Sequence, residues 1–336
     1  MRPLLAALLL LAVSSCASRP SVEDSAVARA GDFASGVEKD RVMSDVEALV
    51  AAHREDTPLD CALFDTSEID TTRRPVCHLT REKARQLVRA RFEALGYSVT
   101  THDTEDPRFP TVNVIAELRG TEHPDEVVVV GAHYDAYHSG ADDNSSGVAA
   151  MLEMARLAAG QRFARTVRFV GFDLEELGLV GSTRYVQSRP GEEIVASLIF
   201  DCIGYRDPRP GAQRSLPGFP VPRTGDFIAA VANAQSRPRL EELYTVASRL
   251  GYGFLRGVLM PKDGSGPASG NLMRSDHAPF WMSGHSALFL TDTANFRNPH
   301  YHRDTDVPST LDPDFLTDVT RLSAAGLSFW AEGPLP

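Results

Sequence analysis

The sequence predicts an α/β fold, a parallel or mixed sheet with helices on its faces, and three observations carry that reading. The run Val127-Val128-Val129-Val130 is apolar without alternation, and Val167 to Phe172 nearly so, as expected of strands covered on both faces. Strand-like and helix-like stretches alternate from about residue 98 onward. Histidines and carboxylates gather where several of those strands run out, the edge at which open α/β sheets bind ligands.

In chain order, residues 1–15 read as a targeting segment, with Arg2 as its basic start and an apolar stretch from Leu4 to Val13 too short to span a bilayer. Val13-Ser14-Ser15-Cys16 has the pattern of a bacterial lipoprotein signal, which implies cleavage before Cys16 and a lipid on its sulfur; the alternative is an ordinary secretory signal cut nearby. The expected location is the cell envelope, on the periplasmic side. Ala17 after the lipidated cysteine slightly favours the outer membrane over the inner. Residues 16–35, rich in Ser and Ala, read as a flexible tether. Residues 36–336 read as one domain, with a helical N-terminal part at 36–96 and a core at about 110–330.

Helices are predicted at Val37–His53 and at Arg81–Leu95, the second closed by Gly96. Strands are predicted at Ser98–Thr101, Val112–Leu118, Glu126–Ala132, Thr166–Phe172, Ala196–Phe200 and Ser286–Leu290. Val148, Met151, Leu152 and Ala155 repeat at helical spacing after a turn-rich stretch, and their stripe reads as core packing. Further helices fit Gly181–Ser188, Arg239–Leu250 and Asp312–Trp330. Arg206–Arg223 and Gly257–Met273, rich in Pro, Gly and charge, read as irregular rims or lids.

Without residues 1–15 the chain keeps 33 basic against 45 acidic residues, a net charge of −12, which argues against nucleic acid as a partner. Of the four cysteines, Cys61 and Cys77 are candidates for a disulfide, the alternative being two reduced thiols, and Cys202 reads as a buried thiol.

The polar groups at the strand ends are His133 and Asp135, Glu175 and Glu176, and Asp201, with Asp142 in the turn entering the next helix and His302 in a loop after the last strand. Each alone reads most often as a solvated loop charge. Gathered along one buried edge, uncompensated carboxylates would raise one another's pKa values, and a pair of divalent cations removes that cost. Oxygen and imidazole ligands without thiolate suit zinc or a similar divalent ion.

These residues, with Gly140-Ala141-Asp142-Asp143-Asn144, Glu175-Glu176-Leu177-Gly178, Gly181-Ser182, Ser275-Asp276-His277 and Tyr301-His302, closely resemble the two-zinc aminopeptidases of peptidase clan MH, family 28, over about residues 110–330. The resemblance implies a phosphorylase/hydrolase-like three-layer α/β/α sandwich with a mixed, largely parallel central sheet. It implies two zinc ions per chain, one held by His133, Asp142 and Asp201, the other by Asp142, Glu176 and His302, with Asp142 bridging. Asp135 would orient His133, and Asp306 would do likewise for His302. Glu175 would be the general base, taking a proton from the metal-bridging water, and Tyr301 would hydrogen-bond the tetrahedral intermediate. The bland reading of Tyr301 is a packed aromatic. His138 and His300 read as loop histidines, and Asp276 and His277 as structural or pocket-wall residues.

The expected activity is that of a zinc exopeptidase removing N-terminal residues from peptides, with the membrane reached only through the N-terminal lipid. A glutaminyl-peptide cyclotransferase, with one zinc, is the alternative; Asp276 to Phe280 matches a stretch that its relatives carry. A catalytically inactive binding ectodomain is a third class, disfavoured because the expected ligand positions are filled.

Overall fold

The computed structural model describes residues 23–59, 78–104, 109–215, 222–260 and 269–335. The elements in order are α1 (Asp24–Ser35), α2 (Lys39–Glu55), β1 (Leu79–Thr80), α3 (Glu82–Ala94), β2 (Val99–Thr104), β3 (Thr111–Leu118), β4 (His123–His133), β5 (Ala136–Tyr137) and α4 (Gly147–Ala158). They continue with β6 (Arg165–Phe172), α5 (Val180–Gln187), β7 (Glu193–Phe200), β8 (Ile228–Ala232), α6 (Arg237–Leu250), β9 (Leu255–Leu259), α7 (His277–Met282), β10 (Leu288–Thr291) and α8 (Pro313–Ala331).

Eight strands form one mixed sheet in the order β2-β3-β6-β4-β7-β10-β8-β9. Its centre is parallel: β4 pairs in parallel with both β6 and β7, and β7 with β10. The valine run of β4 shows why no alternation was visible. Val128 and Val130 pack with residues of α2, α4 and α8, while Val127 and Val129 pack with Tyr185 of α5 and Phe280 of α7 on the opposite face. Each buried valine contributes about 1.5–3 kcal/mol whichever way it points, so both faces select apolar residues. The result is the expected α/β/α sandwich.

Three elements depart from the sequence reading. The stretch read as a tether is helical from Asp24, because Val27, Ala30, Phe33 and Ala34 recur at helical spacing and are buried, and α1 packs on α8. Small alanines make a weak apolar signal but a close fit. β8, Ile-Ala-Ala-Val-Ala, is fully buried, its alanines likewise hiding a strand. β9 lies at the sheet edge, paired in parallel with β8, and overlaps the stretch read as irregular. The small ribbon of β1 and β5 ties the loop after His133 to the N-terminal part. Arg81 reinforces that tie through an ion pair with the buried Asp173, two residues before Glu175.

Among the described residues, no helix is long and apolar enough to cross a membrane. Cys16, Cys61 and Cys77, with the lipid and disulfide readings they carry, lie outside the described residues; Cys202 is buried and free.

Candidate metal centre

Parallel pairing of β4, β6 and β7 brings their carboxyl ends to one edge. His133 is the last residue of β4, Glu175 and Glu176 follow β6, and Asp201 follows β7. Two groups of potential ligands form there, His133 with Asp143 and Asp201, and Asp143 with Glu176 and His302, the ligand atoms of each group lying within 4.8 Å of one another. His133 Nε2 is 3.5 Å from Asp143 Oδ1 and 3.9 Å from Asp201 Oδ1. His302 Nε2 is 3.0 Å from Asp143 Oδ2 and 3.1 Å from Glu176 Oε2.

The residue common to both groups is Asp143, which corrects the reading of Asp142 as the shared ligand. Gly140, at φ 52°, turns the chain into the six-residue turn Ala141–Ser146, where adjacent side chains diverge. Asp142 points away from the histidines. Its carboxylate accepts from Gly204 N at 2.9 Å and from Asn298 Nδ2 at 2.7 Å, and it is fully buried. Asn144 Nδ2 donates to Phe200 O at 2.8 Å, stapling the turn to the end of β7 beside Asp201. Spacing alone could not separate two consecutive aspartates. The asparagine partner of Asp142, 156 positions away, is what separates them.

Asp135 lies beside His133 and braces the next strand end. Its backbone oxygen is 3.0 Å from His133 Nδ1, and its carboxylate accepts from the amides of Glu175 at 3.1 Å and Glu176 at 3.2 Å. Asp306 departs from its expected role. It braces the turn rather than His302, accepting from Asp142 N at 3.0 Å and Asp143 N at 3.2 Å. His302 is instead flanked by rings: Tyr301 stacks on it at 3.9 Å and Tyr137 lies at 4.8 Å. Tyr137, itself a residue of the small ribbon, is a site neighbour not singled out in the sequence. His138 stacks on His78 and His300 Nδ1 contacts Thr305 Oγ1, and neither joins the two groups. His277 is buried, with Nε2 2.8 Å from Leu272 O.

The electrostatics of this edge are dominated by buried carboxyl groups close to one another. Burial pushes the Glu175 carboxyl well above the usual range, and the negative charges of Asp201, Glu176 and Asp276 push it the same way. Burial likewise raises Glu176, to about 7. Burial opposes protonation of His302, yet Glu176 and Asp143 hold its pKa up to about 11. Buried carboxylates this close together raise one another's pKa values, and a bound cation would offset that cost. The donor set fits a divalent ion: among the described residues His133 Nε2 and Glu176 Oε1 are buried with no hydrogen-bond partner, His302 Nε2 faces only the carboxylates of Asp143 and Glu176, and imidazole nitrogen with carboxylate oxygen is a zinc donor set.

Comparison with known proteins agrees. The model of peptidase family M28 matches residues 113–327. The Escherichia coli K12 protein YfbL is 30% identical over 257 residues, 70% of this chain and 76% of YfbL. The Bacillus subtilis aminopeptidase YwaD is 28% identical over 224 residues, but the chain spans only 42% of its length. Among solved structures, a zinc aminopeptidase from Bacillus subtilis superposes with a TM-score of 0.52 at 25% identity, covering 66% of this chain and 50% of that one. The glutaminyl cyclase of Porphyromonas gingivalis gives 0.59 at 18% identity, covering 87% and 98%, a likeness of fold. With a family match over most of the sheet and a relative aligned across three quarters of its length, the chain belongs to peptidase family M28.

Proposed function

We propose that this chain is a zinc-dependent aminopeptidase hydrolysing N-terminal residues from peptides, with two zinc ions held by His133, Asp143 and Asp201 and by Asp143, Glu176 and His302. The observation that carries it is the pair of ligand groups sharing Asp143, each with a histidine Nε2 facing carboxylate oxygens. Bound zinc would supply Lewis acidity and positive charge at this edge. Glu175, adjacent in sequence to a ligand and with its amide held by Asp135, would take a proton from the attacking water and pass it to the leaving amine. Asp135, beside His133 Nδ1, would leave Nε2 free to face the metal. Tyr301, on the cavity wall beside Asp201, would donate its hydroxyl to the developing oxyanion.

Metal content and turnover together bracket the reading. Purified protein should contain close to two zinc ions per chain and hydrolyse aminoacyl anilides; a chelator should abolish turnover and added zinc restore it. One zinc per chain, with cyclisation of an N-terminal glutamine peptide and no anilide hydrolysis, would replace this reading with glutaminyl cyclotransfer. The fold likeness to the glutaminyl cyclase is what keeps that second reading in play.

The same proposal puts the enzyme in the cell envelope, tethered by a lipid on Cys16 and supported by the signal pattern that precedes it. A Cys16→Ser variant should leave the membrane fraction; continued sedimentation with membranes would exclude the lipid anchor.

A further inference from the structure

We propose that Arg274 makes the cavity beside the metal centre a carboxylate-recognising subsite, so that preferred substrates carry a free carboxylate: an acidic first residue or the C-terminus of a dipeptide. The inference rests on the aminopeptidase reading and narrows its substrate class.

The cavity, of about 190 Å³, opens beside Asp201 and Tyr301 and has apolar walls that include Phe227, Leu272, Phe289 and Phe296. Its charged lining residues are Asp201, Arg256 and Arg274. Asp201 belongs to the His133 group, so the charge offered to the rest of a ligand is cationic, in a chain whose net charge is −11. Neither arginine has a carboxylate partner among the described residues. Arg256 Nη1 donates to the carbonyl oxygens of Gly253 and Leu255, each at 2.8 Å.

Arg274 is oriented by two neutral groups, Asn295 Oδ1 at 3.1 Å and the Tyr301 hydroxyl at 3.2 Å. A guanidinium carries five N–H donors in a fixed fork, so two bonds leave donors for a ligand and hold the fork in place. Tyr301 in turn stacks on His302, so this cation is tied to the edge where a scissile bond would sit. Arg274 is exposed, so water partly screens its charge, and it is the fixed orientation of the fork, more than a low dielectric, that favours a ligand there. A carboxylate can pair with the fork by two charge-assisted bonds, whereas a neutral side chain gains none.

The test uses the zinc-loaded full chain and matched pairs differing only in charge: glutamyl against glutaminyl p-nitroanilide, and Leu-Leu against Leu-Leu-amide. In the wild type the carboxylate member of at least one pair should be favoured about 3- to 10-fold in kcat/KM, as an oriented but solvent-screened charge-assisted pair predicts. In R274Q that ratio should fall toward one, whatever happens to the absolute rates, and R274K should keep part of it. The pair that responds identifies the carboxylate's source. Calorimetry with glutamate and glutamine gives a readout without turnover: the wild type should bind glutamate more tightly, and R274Q should lose the difference. If neutral and acidic members fall by the same factor in R274Q, Arg274 acts only through Tyr301 and the subsite is overturned. Wild-type ratios near one in both pairs, with equal binding of glutamate and glutamine, overturn it as well. Should no substrate be hydrolysed with zinc present, the aminopeptidase reading fails, and calorimetry still decides whether the cavity selects carboxylate.

Discussion

Asp143 Oδ2 lies 3.0 Å from His302 Nε2, while its other oxygen lies 3.5 Å from His133 Nε2, so one carboxylate faces both histidines. Asp142, one residue earlier, has its two oxygens committed to Gly204 and Asn298. The two aspartates should therefore fail differently. Asp143→Asn should remove most zinc from both positions, while Asp142→Asn should keep zinc and lose about 1–3 kcal/mol of stability through a buried, mispaired amide. Metal analysis and urea unfolding of the two variants check this, and equal zinc loss in both would dissolve the distinction.

Much of this edge was legible because its causes are local. Val127 to Val130 are apolar whichever face they meet, and a strand that ends in His133 must deliver it to the sheet edge. What escaped was set by distant contacts. Asn298 decides which of Asp142 and Asp143 turns inward, and Asp306 reaches the turn's amides rather than the neighbouring His302. Helix α1 and strand β8 escaped for another reason: alanine packs tightly against α8 and within the sheet, yet scores as weakly apolar.

Glu175 is buried, and its amide is fixed by Asp135, so its carboxyl can be altered with little disturbance to the ligands. Glu175→Gln should lower turnover about 100- to 10,000-fold, the range of a general base, while zinc content stays near that of the wild type. Aminoacyl-anilide kinetics with metal analysis check it. A variant of full activity would remove Glu175 from the base role.

Asp306 holds two amides of the turn that carries Asp143 and is 1% exposed. Asp306→Ala leaves those donors without a partner, at about 1–3 kcal/mol each. The looser turn should also weaken zinc binding by about 10- to 100-fold, as loss of a brace on a ligand does. Urea midpoints and zinc competition with a chromogenic chelator would show both effects; unchanged zinc affinity would confine Asp306 to stability.

Two histidines away from the ligand groups bear on stability in acid. His53 is 3% exposed with Nδ1 2.9 Å from Thr80 Oγ1, and burial lowers its pKa to about 4. Burial does the same to His277, which is fully buried and stacked on Phe289. An unfolded histidine takes a proton near pH 6.5, so between about 6.5 and 4 the unfolded chain binds protons that the folded one refuses. Their contribution is complete above 6.5 and is lost as pH falls toward 4, by about 3 kcal/mol for each at a shift of about 2.5 units. Buried acids with raised values act in the opposite sense, Asp276 at about 7 and Asp306 at about 8, both raised chiefly by burial, so the wild-type curve alone is a mixed signal. The difference between wild type and His53→Gln isolates one histidine. The variant's stability deficit, measured by urea unfolding at pH 7 and again near pH 4, should shrink by about 3 kcal/mol. A deficit independent of pH would mean that the folded His53 titrates as freely as the unfolded one.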